Sequence, residues 1–283
     1  MSDNWINCYK RGWGKELVPE AFAHPAKVSF SLAERIYAHL AEEDWVAEGS
    51  TVIDPFGGIG GCAYHALRHG LHFIGVELEP KFVDLAAQNI AMWNSRYAGR
   101  FIRWGTARIV QGDSRRLLDV VRDAGVCVSS PPFEGCHSVV PVEAHSRQVT
   151  SERVKSVIKY GVTDGQIGND TGDTFWSSAR VIVAQTFAAL RPGGHAVWVV
   201  KSFVRNKAIV DFPDQWRELC ESVGFVTLHE HHAMLVDDKG TQMAHDGNHK
   251  EYKTERKSFF RRLAEKKGSP RIDYETVLCM VKQ

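Results

Sequence analysis

Short apolar segments alternate with amphipathic helical segments along most of the chain, and this alternation restricts the fold more than any other feature of the sequence. The predicted strands are at residues 51–55, 72–76, 107–111, 126–129, 195–200, 226–231 and 275–281. Strands separated by helices of this length form a mostly parallel sheet with helices on both faces. We therefore predict an α/β fold with a doubly wound, mostly parallel sheet of seven strands.

Some helix boundaries can be predicted from the residues that flank the periodic segments. Ser31 and Glu34 have the spacing of a capping box, which predicts that a helix begins near Ser31. Apolar residues also recur at helical spacing over 175–190, and the Arg-Pro-Gly-Gly sequence at 191–194 is expected to end that helix before the next strand.

The net charge, the spacing of the cysteines and the lack of long apolar runs limit the class of protein that this chain can be. Lysine and arginine number 35 against 34 acidic residues, so a polyanionic partner must be held by a local basic patch. The six cysteines lack the spacing of a zinc or redox motif, which favours reduced thiols. We see neither a signal peptide nor an apolar run of membrane-spanning length, and we expect a soluble, cytoplasmic protein.

Acidic residues follow three consecutive predicted strands. Asp54 begins the sequence Asp-Pro-Phe-Gly-Gly-Ile-Gly at 54–60, and its glycines allow the backbone to approach a ligand closely. Glu77 ends the next strand, where a carboxylate can accept both hydroxyl protons of a ribose, and Asp113 follows the third. Because ligands bind outside the carboxyl ends of such strands, these acids are predicted to line one crevice.

A nicotinamide-dependent dehydrogenase is the natural rival for a glycine turn that is followed by an acidic residue. The turn at 54–60 lacks the G-x-G-x-x-G spacing of those enzymes. That fold also gives no reason for the Ser-Pro-Pro-Phe sequence at 130–133. The dehydrogenase interpretation is therefore disfavoured.

The segment 54–60 resembles the first motif of the amino methyltransferases that act on DNA: an acid, a proline and a phenylalanine, then two spaced glycines. The resemblance implies a class I, Rossmann-like methyltransferase fold and the cofactor S-adenosylmethionine. The His-Pro pair at 24–25 is similar to an additional N-terminal cofactor motif of that family. The implied cofactor-binding residues are His24, Pro25, Asp54, Pro55, Phe56, Gly58 and Gly60 around the methionine part, Glu77 at the ribose, and Asp113 with Ser114 at the adenine.

The fourth predicted strand leads into Ser130-Pro131-Pro132-Phe133, our candidate catalytic loop. Consecutive prolines stiffen this loop and remove two backbone donors, which leaves carbonyl oxygens available to a ligand. An exocyclic amine is a poor nucleophile because its lone pair is delocalised into the ring. Ser130 Oγ and the Pro131 carbonyl could each accept one amine hydrogen, and Phe133 could stack on a base extruded from the duplex.

The residue before Pro131 bears on the type of methylation. Methylation at carbon 5 of cytosine requires a cysteine nucleophile, but Ser130 occupies that position and Cys127 lies within an apolar strand. Among the amino methyltransferases, Ser-Pro-Pro-aromatic resembles the cytosine-N4 enzymes, whereas Asp or Asn in first place usually accompanies adenine. We predict N4 methylation of cytosine in DNA, although the motif order, with the cofactor motif first, differs from that of many cytosine enzymes.

Three alternatives share these motifs: an N6-adenine DNA methyltransferase, an RNA amino methyltransferase, and an inactive module that binds nucleic acid. RNA in place of DNA would change the substrate and keep the mechanism. A cognate restriction enzyme is a further candidate partner, which the sequence does not identify.

We predict a single methyltransferase domain over residues 1–283. Within it, 22–133 carries the cofactor and catalytic motifs, 134–174 is an inserted target-contact loop, and 175–283 completes the sheet. The inserted loop is far longer than ordinary connections, which indicates a functional segment or a poorly ordered one. Its glycine-rich part at 165–172 is a candidate for lining the base pocket.

The segment 250–267 carries eight basic residues and two phenylalanines. Lys257, Arg261 and Arg262 are predicted to neutralise phosphates of the nucleic acid, and a solvated helix face is the alternative.

The His-Glu-His-His sequence at 229–232 could suggest a metal ion. On a strand these side chains alternate between faces, and because the sequence reveals no remote ligand, no metal site is expected.

Overall fold

A computed structural model describes residues 3–24, 27–135, 161, 163–243, 249–255, 265–266 and 268–283. Its strands are β1 (Asn4–Trp5), β2 (Thr51–Asp54), β3 (His72–Glu77), β4 (Thr106–Gln111), β5 (Ala124–Ser129), β6 (Leu190–Val200), β7 (Phe203–Arg205), β8 (Ala208–Val210), β9 (Phe225–Met234), β10 (Val236–Met243), β11 (His249–Glu255) and β12 (Tyr274–Lys282). All seven predicted strands are present in one eight-stranded sheet, so the predicted fold class is confirmed. The eighth, β1, was not predicted because two residues carry no periodic signal.

The order of the strands is β1-β9-β12-β6-β5-β2-β3-β4. The pairs on either side of β12 are antiparallel, and the other neighbours in the sheet are parallel. From β2 the chain builds towards β3 and β4, whereas from β5 it builds towards β6 in the opposite direction. The strand order therefore reverses between β2 and β5, where a crevice opens outside their carboxyl ends.

Helices cover both faces of this sheet. They are α1 (Phe30–Glu42), α2 (Gly61–Arg68), α3 (Pro80–Tyr97), α4 (Gly172–Ala189) and α5 (Phe212–Val223). Side chains of each strand alternate between two apolar layers: Val126 and Val128 pack with α1, α2 and α3, whereas Cys127 packs with α4 and α5. Among the described residues, no helix is both long and apolar enough to cross a membrane.

The capping-box prediction for α1 is wrong. The N-cap is Ser29, and Ser31 lies in the first turn of the helix. The Ser31 hydroxyl accepts a hydrogen bond from the Arg11 backbone N–H at 2.9 Å, so it holds the N-terminal segment instead of the helix end. The Ser29 hydroxyl likewise donates to the Cys8 carbonyl oxygen at 2.9 Å. Long-range contacts to the N-terminal segment thus override the local capping signal.

Two further predictions, for the basic segment 250–267 and for the loop 134–174, differ from the structure. The helix alternative for the basic segment is wrong over its first residues, because β11 pairs with β10 as an antiparallel hairpin. The predicted loop 134–174 ends in regular structure, since a 3₁₀ turn forms at Ile167–Asn169 and α4 begins at Gly172. Gly172, the first residue of this helix, has a φ of +57°, which a glycine adopts without strain.

Candidate active site

A cavity of about 390 Å³ lies in the crevice at the carboxyl ends of β2, β3 and β5. It brings together both groups of predicted residues. The predicted cofactor-binding residues that line it are His24, Asp54, Pro55, Phe56, Gly58, Glu77, Asp113 and Ser114. All four residues of the candidate catalytic loop, Ser130, Pro131, Pro132 and Phe133, line it as well. Predicted site residues from four separate strand ends therefore share one cavity.

The glycine turn after β2 lines this cavity. Gly58 and Gly60 have φ values of +50° and +75°, which non-glycine residues rarely adopt. A Cβ atom at Gly58 would lie 3.2 Å from Nε2 of His24, so the backbone and the histidine ring approach closely. Gly60 serves the turn conformation: its N–H donates to the Gly57 carbonyl at 2.8 Å. The turn thus presents bare backbone to the cavity.

Glu77 lies at the end of β3 beside this turn. Its Oε2 accepts the Gly58 N–H at 2.8 Å, and its Oε1 accepts the Glu79 N–H at 2.9 Å. Burial raises the pKa of Glu77, and the two backbone N–H groups oppose that shift. Since each carboxylate oxygen has a further lone pair, Glu77 can also accept hydrogen bonds from a neighbouring diol.

Asp54 ties the cofactor turn to the strand that carries the catalytic loop. Its Oδ1 accepts the Ser129 hydroxyl at 2.5 Å and the Phe56 N–H at 2.9 Å. Burial raises the pKa of Asp54 to about 7, although both hydrogen bonds lower it. Asp54 therefore links β2 to β5 and also lines the cavity.

Asp113 lies at the third strand end and is paired with Arg115. The Arg115 Nη2 donates to Asp113 Oδ2 at 2.6 Å, and its backbone N–H donates to Oδ1 at 2.9 Å. Burial alone would raise the pKa of Asp113, but these bonds and the guanidinium charge lower it overall. The neighbouring Ser114 hydroxyl donates to the Pro55 carbonyl at 2.5 Å, which joins this strand end to the glycine turn.

The candidate catalytic loop follows β5. The Ser130 hydroxyl donates to the Val199 carbonyl at 3.0 Å, while Pro131 is buried. Phe133 is 37% exposed and stacks on Phe203, with ring centroids 5.0 Å apart and planes at 26°. Ser130 is thus held by one hydrogen bond, and its hydroxyl oxygen can still accept a hydrogen bond from a ligand. The ring of Phe133 is partly accessible from the cavity.

Cys127 is fully buried in β5, and burial raises the pKa of its thiol. A thiol that is buried and protonated is a poor nucleophile. The structure therefore supports the assignment of Cys127 to packing, and Ser130 occupies the loop position that a cysteine nucleophile would need.

The segment 163–167 covers one side of the cavity, and Gly165, Gln166 and Ile167 of the glycine-rich stretch 165–172 line it. Sequence patterns missed only the contact that holds this segment. Glu79 is buried, and its carboxylate accepts the Thr163 N–H at 3.1 Å and the Thr163 hydroxyl at 2.9 Å. A Cβ atom at Gly165 would collide with the Arg115 guanidinium, so this glycine packs directly against the Asp113–Arg115 pair. The Asp-Gly pair at 164–165 signals a turn, but nothing in the sequence identifies its partner across the cavity.

Asn89 was also missed, although it supports the glycine turn from α3. Its side chain is fully buried. The amide Nδ2 donates to the Ile59 carbonyl at 3.0 Å, and Oδ1 accepts the Val18 N–H at 2.9 Å. An asparagine inside an amphipathic helix gives no distinctive signal, since most such residues are solvated.

The ends of the inserted loop are held together beside the catalytic loop. The Gly135 N–H donates to the Asp170 carbonyl at 3.1 Å, and Glu134 Oε1 accepts the Gly172 N–H at 2.7 Å. Glu134 Oε2 also lies 3.2 Å from Arg205 Nη1 on the β7–β8 hairpin. These contacts connect the residue after Phe133 to the start of α4.

Lys201 lines the cavity at the end of β6, where its Nζ lies 3.4 Å from Glu275 Oε1.

Several predicted site residues lie outside the described part of the chain, namely Pro25, Lys257, Arg261 and Arg262. Their assigned roles stay predictions.

Comparison with known proteins bears on the N-terminal part of the chain. A family model described as DNA methylase, of the N6 and N4 type, matches residues 1–88. The Type II methyltransferase M.BglI from Bacillus subtilis is 34% identical over 89 residues, which cover 31% of this chain and 24% of that protein. The resemblance to amino DNA methyltransferases is confirmed here. The matched residues include the glycine turn and Glu77, and with the geometry above they support S-adenosylmethionine as the cofactor.

Solved structures with a similar arrangement include TrmN from Thermus thermophilus, at 15% identity and a TM-score of 0.49, over 94% of this chain and 52% of that one. A TehB-like S-adenosylmethionine-dependent methyltransferase from Corynebacterium glutamicum aligns over 90% of this chain and 98% of that one, at 15% identity and a TM-score of 0.41.

Proposed function

We propose that this chain transfers the methyl group of S-adenosylmethionine to the exocyclic amino group of a base in DNA, namely N4 of cytosine. One observation carries the proposal: the loop Ser130–Phe133 lines the same cavity as the glycine turn and Glu77. A cofactor and an amine held at these two places would be close enough to react. The DNA methylase match over residues 1–88 supports DNA as the nucleic acid.

The cofactor side of the cavity has the chemistry that S-adenosylmethionine needs. The glycine turn offers close backbone approach for the methionine part, and Glu77 retains lone pairs for the two ribose hydroxyls. Asp113 is held in place by Arg115, and a remaining lone pair on its carboxylate can meet the adenine amino group. When bound, the cofactor supplies a sulfonium-activated methyl group for in-line displacement.

Ser130 is oriented as a hydrogen-bond acceptor for the amine. Because its hydroxyl hydrogen is donated to the Val199 carbonyl, the lone pairs of Oγ remain available for one amine hydrogen. The Pro131 carbonyl would accept the other. With both hydrogens held, the nitrogen lone pair turns out of the ring plane towards the methyl carbon. In the proposed transfer a new N–C bond would replace the C–S bond, the sulfur would leave as a neutral thioether, and the nitrogen would lose one proton to water.

Phe133 would hold the extruded base. Its ring already stacks on Phe203 and is 37% exposed, so a base can extend this stack by one ring. Base–aromatic stacking contributes about 1–3 kcal/mol per base. Such contact offsets part of the cost of taking the base out of the duplex.

The choice of cytosine over adenine rests on Ser130 in the first position of the loop. N6 methylation of adenine uses the same geometry and is the second candidate function. Lys257, Arg261 and Arg262, which we predict to neutralise phosphates, and a cognate restriction enzyme belong to this proposal as predictions from the sequence.

The test is to incubate the full chain with isotopically labelled S-adenosylmethionine and separate pools of duplex DNA, single-stranded DNA and RNA. Mass spectrometry of the digested nucleosides then identifies the labelled base. We expect N4-methyldeoxycytidine from DNA, and little label with Ser130→Ala. Label on N6 of adenine would refute cytosine as the target base and leave the proposed mechanism in place. Label only on RNA would refute DNA as the target. Cofactor binding without methyl transfer would refute the proposed enzymatic activity.

A further inference from the structure

Three histidines converge between α1 and β9, on the face of the sheet that carries α1, α2 and α3. They are His39 near the end of α1, and His229 and His231 two residues apart on β9. Each offers one ligand nitrogen, and the three nitrogens lie within 4.8 Å of one another. His39 lies 190 residues before His229, and no sequence pattern relates the two.

We infer that His39, His229 and His231 form a binding site for a divalent transition-metal ion such as Zn²⁺. The spacing of the nitrogens carries this inference. Two Zn–N bonds of about 2.0–2.1 Å at a tetrahedral angle separate their nitrogens by about 3.3–3.4 Å. Nε2 of His39 lies 3.4 Å from Nδ1 of His229 and 3.3 Å from Nε2 of His231.

A network of hydrogen bonds between the imidazoles accounts for this geometry less well. A neutral imidazole nitrogen either donates one hydrogen or accepts through one lone pair, so Nε2 of His39 can satisfy only one of its two neighbours at a time. A cation would satisfy all three nitrogens together. Borderline ions such as Zn²⁺ are the natural partners of imidazole, and three protein ligands leave a fourth position for water.

Aromatic neighbours keep the histidine rings in place. Trp5 stacks on His231 with centroids 4.3 Å apart, and Trp45 stacks on His229 at 5.6 Å. Burial lowers the pKa of His39 and brings that of His231 to about 4, so both rings are in the form that binds metal. Because His229 is only half-buried, an ion has a path into the cluster.

Nearby charges act in both directions. Arg35, whose guanidinium lies 4.5 Å over the ring of Trp5, opposes a cation at this place. Carboxylate oxygens of Glu42 and Glu43 lie 4.0 Å and 3.9 Å from Nδ1 of His39, the ring nitrogen that faces away from the cluster. These distances are longer than a hydrogen bond, so the two carboxylates favour a cation nearby through their charge alone. A bound ion would join α1 to β9 and so stabilise this side of the sheet.

The test uses the full chain after chelation and compares it with His229→Ala, His39→Ala and the control His232→Ala. The control lies on β9 next to His231 but points to the other face, where it stacks on Tyr274. Zn²⁺ binding is measured by calorimetry and thermal melting, and Co²⁺ binding by its visible absorption, which reports tetrahedral coordination. His229→Ala removes a half-buried ring and is the variant that should fold most readily.

We expect one Zn²⁺ per chain in the wild type and in His232→Ala, with a thermal midpoint that rises by roughly 5–10 °C at saturating zinc. Affinity should fall about 100-fold or more in His229→Ala and His39→Ala. Circular dichroism confirms that each variant is folded. The inference is overturned if zinc binds all four proteins equally, which would indicate other histidines, or if the wild type binds none.

Discussion

The two sides of the cavity, the proposed cofactor side and the proposed target side, are held in different ways. On the cofactor side, Asp54, Glu77 and Asp113 each accept hydrogen bonds from nearby backbone N–H groups at the ends of parallel strands. On the target side, Ser130 is exposed with one hydrogen bond, and Phe133 rests on a single ring. The cofactor side is therefore preorganised by the sheet, whereas the target side depends on loops that must admit a large substrate.

If this contrast is correct, the largest effect should follow a change at Glu77. Glu77→Ala leaves the N–H groups of Gly58 and Glu79 without their carboxylate and removes the acceptor for the ribose. A buried donor without a partner costs about 1–3 kcal/mol, so affinity for S-adenosylmethionine should fall about 100-fold in calorimetry. Glu48→Ala is the control, because Glu48 pairs with Arg103 at the surface. Wild-type affinity in Glu77→Ala would contradict a preorganised cofactor side.

Ser130→Ala tests the target side. It removes one acceptor for the amine and leaves the glycine turn and Glu77 intact, so the affinity for S-adenosylmethionine should not change. The rate of methyl transfer at saturating substrates should fall about 10- to 100-fold, which is less than the loss of an oxyanion-hole donor costs, because the Pro131 carbonyl would still accept the other amine hydrogen. Ser177→Ala, on the exposed surface of α4, serves as the control. An unchanged rate would exclude the proposed amine geometry.

The contrast also explains how much could be predicted from the sequence. Strand-end acids and glycine turns can be recognised locally in the sequence. The geometry of a parallel sheet then brings the ends of its strands together. The meeting of the strand-end acids and the Ser130 loop in one cavity could therefore be predicted, and their roles in binding and catalysis stay predictions. The contact of Glu79 with Thr163 and the contact of His39 with His229 join residues 84 and 190 positions apart, and no periodicity relates such pairs.

Glu79→Ala should have an intermediate effect, because it releases the segment 163–167 from the cavity wall. The Michaelis constants for S-adenosylmethionine and for DNA should rise about 5- to 10-fold, with a smaller change in kcat, as expected for loss of positioning. Thr163→Val, which removes only the hydroxyl bond, should give a weaker version of the same change. Steady-state kinetics at varied cofactor and DNA distinguish the two constants. A fall in kcat alone would instead place Glu79 in the chemical step.

The smallest effect is expected from Asp54→Asn, and it concerns stability more than catalysis. In the folded chain, burial raises the pKa of Asp54 from 3.8 to about 7. Between these values the folded state holds a proton that the unfolded state has lost, so stability should fall as the pH rises through this window, by at most about 1.4 kcal/mol per pH unit. Asparagine retains the Oδ1 that accepts from Ser129 and Phe56, but it does not titrate.

The difference in the free energy of unfolding between Asp54→Asn and the wild type should therefore widen from pH 5 to pH 7 in favour of the variant, and then level off. Denaturant titrations at several pH values measure this difference, and the exposed Asp119→Asn is the control. A difference that stays constant from pH 5 to pH 8 would mean that Asp54 is ionised throughout. The link between β2 and β5 would then be a charged hydrogen bond, and the glycine turn would be held by an ionised carboxylate.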